Sequence, residues 1–129
     1  MLLPDMATVL VIEDNPANMT LATFLLKSAG HAVLRATDAE AGMALARREQ
    51  PDLVLMDIQL PGMDGLQACA LLKADEATRD IPVIALTALA MKGDEERIRA
   101  AGCDGYIAKP LAYREFLATI AARLQRTAV

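Results

Sequence analysis

The residues of this sequence best suited to chemistry all stand where an apolar run stops. Glu13 and Asp14 follow Val9-Leu10-Val11-Ile12, and Asp57 follows Leu53-Val54-Leu55-Met56. Thr87 follows Val83-Ile84-Ala85-Leu86, and Lys109 follows Gly105-Tyr106-Ile107-Ala108. Taken singly, each has an ordinary explanation as a loop acid, a strand threonine or a surface lysine. Together they make an acidic cluster with one hydroxyl and one ammonium. Two carboxylates about 5 Å apart repel by about 3 kcal/mol at an effective dielectric near 20, so such a cluster calls for a cation. Oxygen donors from a few side chains, with coordination left for water and a phosphate, describe Mg²⁺. Calcium wants a fuller cage and zinc wants His or Cys. The single histidine, His31, has no thiol partner near it in sequence.

The elements that must bring these groups together are legible as alternating strands and helices. The four apolar runs do not alternate with polar residues, so they read as strands buried on both faces. Ala32-Val33-Leu34 makes another strand. Between them, Asn15 caps a helix that opens on Pro16 and stops at Gly30. Asp38 caps a second helix reaching about Arg48, closed by Pro51. A third follows Asp64, and residues 90–101 form a short charged helix in which Glu95 and Arg99 stand at ion-pair spacing. Tyr113, Phe116, Leu117, Ile120 and Leu124 recur on one face of the last helix. Successive βα units imply an α/β fold: a five-stranded parallel sheet with helices on both faces. Ligands of such sheets gather beyond the carboxyl ends of the strands, where the residues above fall.

Bulk properties narrow the class. A chain of 129 residues reads as one domain, with a core at about 7–126. Apolar residues make up 54% but aromatics only 3%, so the core is aliphatic. A net charge of -4 argues against nucleic-acid binding, which needs clustered Lys and Arg. Cys69 and Cys103 fit neither a disulfide framework nor a four-ligand zinc site, and read as small buried packing in a reducing compartment. No run is long enough to span a membrane, and the MLLPDMA start lacks the pattern of a signal peptide. The expectation is a soluble cytoplasmic protein.

The motifs VIEDN, LMDIQLPGMDG, ALTA and YIAKP, in this order, resemble the receiver domains of bacterial two-component response regulators from about Ala7 to Arg123. The resemblance implies a (βα)5 flavodoxin-like receiver fold and assigns roles. Asp57 is the phosphoacceptor. Asp14, Asp57 and the backbone carbonyl of Gln59 hold Mg²⁺, with Glu13 reaching it through water, and Lys109 neutralises a phosphoryl oxygen. Thr87 and Tyr106 form the switch, while Pro61 and Gly65 shape the loop beside Asp57. Pro16, Asn18 and Met19 guide the phosphodonor, and output is read from the fourth helix, fifth strand and fifth helix. Implied partners are a sensor histidine kinase or a histidine phosphotransfer protein, with the chain a monomer or weak dimer. The stretch AMKGDEERIRAAGCDGYIAKP is similar to single-domain regulators of cell division and polarity within that family. That implies no output domain, and recruitment to a cell pole by a partner.

Rival readings remain on the residues alone. A flavodoxin shares the architecture, but its first loop must cradle phosphate, which Glu13-Asp14 would repel. A phosphatase with an aspartate nucleophile wants a second acid two residues on, where Gln59 stands. A receiver-like interaction domain that never takes phosphate usually lacks the acceptor aspartate or the lysine, and both are present.

Overall fold

The computed structural model describes residues 7–88 and 92–127. Strands β1 (Thr8–Ile12), β2 (Ala32–Ala36), β3 (Leu53–Asp57), β4 (Val83–Thr87) and β5 (Gly105–Ala108) form one sheet in the order β2-β1-β3-β4-β5. Every pairing is parallel. Helices α1 (Pro16–Ser28), α2 (Ala39–Glu49), α3 (Gly65–Ala74), α4 (Lys92–Ala100) and α5 (Tyr113–Thr127) connect and follow them. This is the flavodoxin-like receiver fold that the sequence implied. Residues 90 and 91 of the expected fourth helix lie outside the described residues, as do Ala128, Val129 and the MLLPDM start.

Strand alternation sorts the core into two layers. Leu10, Ile12, Val54, Met56, Val83 and Ala85 pack with Met43, Ala46, Ala68, Leu72 and Ile98, on the α2, α3 and α4 side. Val9, Val11, Leu53, Leu55, Ile84, Leu86 and Ile107 pack with Met19, Leu26, Phe116 and Ile120, on the α1 and α5 side. β3 and β4 throughout, and β1 beyond its first residue, Thr8, are covered on both faces, which is why their apolar runs show no polar alternation.

Helix ends follow the expected capping chemistry, with local differences. Asn15, Asp38 and Asp64 each accept a backbone N–H of the first turn, from Asn18, Ala41 and Leu66. α1 ends at Ser28 rather than Gly30. Gly30 lies just beyond, at φ 93°, where its N–H reaches the Lys27 carbonyl and that of His31 reaches Leu26. α2 is closed by Gln50, a non-glycine residue at φ 47°, ahead of the expected Pro51. The Gln50 side-chain amide donates to the Arg47 carbonyl at 3.1 Å and the Ala77 carbonyl at 2.9 Å, which offsets the left-handed backbone.

Gly65 has the tightest role in positioning the site. It starts α3 directly beneath the end of β3, and its N–H bonds the Ile58 carbonyl at 3.2 Å. A Cβ there would overlap the Asp57 carbonyl oxygen and lie 2.5 Å from the Ile58 Cα. Both neighbours are backbone and cannot move aside cheaply. Gly65→Ala should therefore cost about 1–3 kcal/mol, seen as a lower urea midpoint with an unchanged slope. A midpoint equal to the parent's would show that the loop is not constrained here.

Candidate functional site

The strand ends are pinned by the backbone of the neighbouring strands. The Glu13 N–H donates to the Ala36 carbonyl at 3.0 Å, that of Ile58 to Leu86 at 3.2 Å, and that of Lys109 to Thr87 at 2.7 Å. Each continues the parallel ladder past its strand. The side chains that could do chemistry are thus held by the sheet itself, not by loose loops.

Glu13, Asp57 and Lys109 meet as one group. The Lys109 ammonium lies 2.8 Å from Glu13 Oε1 and 3.1 Å from Asp57 Oδ2. The other oxygen of Asp57, Oδ1, accepts the Gln59 backbone N–H at 2.9 Å. Glu13 and Asp57 are buried, whereas Asp14 is exposed at the rim. Ligand oxygens of all three acids lie within 4.8 Å of one another. Burial, with Asp57 adding to it, pushes the Glu13 carboxyl up to about 7, against the opposing pull of Lys109. Burial alone would lower the Lys109 ammonium, but Glu13 and Asp57 outweigh it and the net shift is upward.

The donor set suits a hard divalent cation. It is all oxygen, and Glu13 Oε2 is buried with no hydrogen-bond partner. A buried carboxylate oxygen left unsatisfied is costly unless a water or an ion meets it. The Gln59 contact was not foreseen: the sequence pointed to its carbonyl, and the structure adds its N–H on Asp57.

Thr87 is buried at the end of β4 and points, with Tyr106, to the side of the sheet that bears α4. Tyr106 is half-buried, and its hydroxyl donates to Glu95 on α4. That contact raises the phenol above its usual range. Glu95 was expected to face Arg99; it accepts Tyr106 instead, and the ion pair seen on this helix joins Arg97 to Asp94 at 3.2 Å. On α1, Met19 is buried in the core rather than offered to a partner, while Leu21 and Phe24 are exposed. Periodicity alone did not separate these faces, because α1 is apolar nearly all round. The Lys109–Pro110 peptide is cis.

A parallel five-stranded sheet with an acid cluster and a lysine at its carboxyl edge defines a receiver, and the family comparison agrees. The response regulator receiver domain matches residues 9–121, and the chain belongs to that family. It is close to the polar-differentiation response regulator DivK. The DivK of Brucella ovis is 50% identical over 113 residues, which is 88% of this chain and 92% of that protein. The DivK of Brucella anthropi is 49% identical over the same span. Among solved structures, the receiver domain of a Pseudomonas aeruginosa sensor histidine kinase superposes with a TM-score of 0.86 at 36% identity, covering 92% of this chain and 98% of that one. That structure has a magnesium ion coordinated in its active-site cleft. A response regulator from Chloroflexus aurantiacus gives a TM-score of 0.89 at 28% identity, covering 93% and 98%. No helix among the described residues is long and apolar enough to cross a membrane.

Lys109→Met should expose how much the buried acids depend on the ammonium. Removing one partner of a buried charge cluster costs about 3–5 kcal/mol, so the metal-free variant should lose stability at the low end of that range. Glu13 binds its proton more tightly folded than unfolded, so protonating it favours the folded state as pH falls through 7. The loss should be smaller at pH 6 than at pH 8 in urea unfolding. An equal loss at both would remove Glu13 from the account.

Proposed function

We propose that this chain takes a phosphoryl group on Asp57 from the phosphohistidine of a sensor histidine kinase or histidine phosphotransfer protein, and signals by phosphorylation-dependent protein binding. The observation that carries this is the fixing of the Asp57 carboxylate from two sides, by the Gln59 N–H and the Lys109 ammonium. An Asp57 oxygen attacks phosphorus as the P–N bond to histidine breaks. Such a transfer has a loose transition state and asks mainly for positioning and charge stabilisation. Lys109 supplies a cation beside the incoming phosphoryl oxygens. Glu13, Asp14, Asp57 and the Gln59 carbonyl would hold Mg²⁺, whose charge, when bound, neutralises the phosphoryl group.

The aspartyl phosphate then adds up to about two negative charges and new acceptor oxygens. The Thr87 hydroxyl bonds one of them, and Tyr106 leaves Glu95 to occupy the space that Thr87 vacates. Both residues belong to the α4 side of the sheet, so α4, β5 and α5 form the output face. The exposed Leu21 and Phe24, next to Pro16 on α1, form the docking face for the phosphodonor. Similarity to DivK supports a role in cell division and polarity, with polar recruitment by a partner. No turnover of phosphate esters is expected.

Acetyl phosphate or a cognate kinase should label the parent protein, and Asp57→Asn should abolish labelling while circular dichroism stays unchanged. Labelling of the variant at another residue, mapped by mass spectrometry, would overturn the assignment.

Millimolar Mg²⁺ should raise the melting temperature, since a ligand at 100 times its dissociation constant stabilises by about 2.7 kcal/mol. Asp14→Asn should weaken that response, and without metal should melt above the parent because a like charge is gone. A melting temperature indifferent to Mg²⁺ would sink the metal site.

A further inference from the structure

Cys69 and Cys103 are 34 residues apart in sequence, yet their sulfurs lie 3.1 Å apart, with the Cys103 S–H donating to Cys69. Cys69 is on the buried face of α3; Cys103 lies between the end of α4 and the start of β5. Both thiols are free. Cys69 is fully buried, and Cys103 keeps 8% of its surface exposed at the rim. A disulfide is about 2.05 Å long, so the sulfurs need close by only about 1 Å.

The surroundings distinguish the two sulfurs. Lys73, one helical turn beyond Cys69, is held by Asp104 at 2.8 Å and by the Ile81 carbonyl at 2.8 Å. The S–H donated by Cys103 lowers the Cys69 thiol, with help from Lys73 and against burial. Cys103 is pushed up by Cys69 first, then by burial and by Asp104. Of the two sulfurs, Cys69 therefore gives up its proton more readily than Cys103. The segment after Cys103 is also fixed. Asp104 donates its N–H to the Val83 carbonyl at 2.8 Å and accepts the Val83 N–H on Oδ2 at 2.8 Å.

We propose that Cys69 and Cys103 form a reversible redox site, at which a peroxide makes a single intrachain disulfide that clamps α3 to the segment leading into β5. The Cys69 thiolate attacks the peroxide: an S–O bond forms, the O–O bond breaks, and the departing hydroxide takes the Cys103 proton to give water. The Cys103 thiolate then attacks Cys69 sulfur; S–S forms, S–O breaks, and the second hydroxide leaves as water after protonation. Two thiols lose two electrons in all, and peroxide is reduced to two waters. The clamp joins the helix that opens at Gly65, against the Asp57 backbone, to the strand that carries Tyr106 and leads to Lys109. The site stands whether or not Asp57 takes phosphate.

The test treats the full chain with a modest excess of hydrogen peroxide, then alkylates it in denaturant and measures intact and peptide masses. The expected result is the loss of two hydrogens, no alkylation, and peptides containing Cys69 and Cys103 joined within one chain. Dithiothreitol should restore both thiols, and the oxidised protein should melt higher than the reduced one. In Cys69→Ala, Cys103 should stay alkylatable under conditions that cross-link the parent. The proposal is overturned if both parental thiols remain alkylatable, if oxidation runs to sulfinic acid or to chains joined in pairs, or if the cross-linked protein melts lower. Equal oxidation of Cys103 in parent and variant would overturn it as well.

Discussion

The ammonium of Lys109 is the interaction on which the carboxyl edge of this sheet depends. It comes from the residue after β5 and reaches two buried carboxylates, Glu13 after β1 and Asp57 at the end of β3. Those strands are not neighbours of β5, since β4 lies between β3 and β5. A long, flexible side chain therefore bridges the sheet where no backbone hydrogen bond can. Without it, burial and mutual repulsion would act on Glu13 with no cation to oppose them, and on Asp57 with only the Gln59 N–H. The charge count still leaves an excess of carboxylate once Asp14 is included, and that excess is what makes the site receptive to a further cation.

Much of the frame was legible because it rests on local signals. Four of the strands are continuous apolar runs, and Asn15, Asp38 and Asp64 are caps that act within a turn of themselves. The edge strand β2 reads shorter in sequence than it is, because Arg35 is an exposed charge that interrupts the apolar pattern while its backbone continues the pairing with Val11. The end of α2 misled for another reason. Pro51 is the visible breaker, but Gln50 already takes the left-handed turn, using side-chain bonds that reach Ala77.

Of the site, sequence reveals the residue types and the edge to which they belong, but not who touches whom. That Glu13 is the buried acid and Asp14 the exposed one follows from strand parity at a boundary, where one residue of error reverses the answer. The Gln59 N–H on Asp57 depends on the conformation of a turn. The contacts of Tyr106 with Glu95 and of Cys69 with Cys103 join different elements. No periodicity within either element encodes such a meeting, because each requires the packed positions of both.

The division of the core into two layers has an evolutionary consequence. The side chains that α1 and α5 pack against come from one set of alternate strand positions, and those under α2, α3 and α4 come from the other. Backbone is all the two sets have in common. A lineage can thus exchange residues on the α1 side, and so change the surface that helix offers, without repacking the layer beneath α4. The reverse holds as well. Drift in the layer shared by α1 and α5 is insulated from the layer beneath α2, α3 and α4 by the thickness of a β-sheet, so a duplicated copy of this chain can remodel one side while the other keeps its old shape.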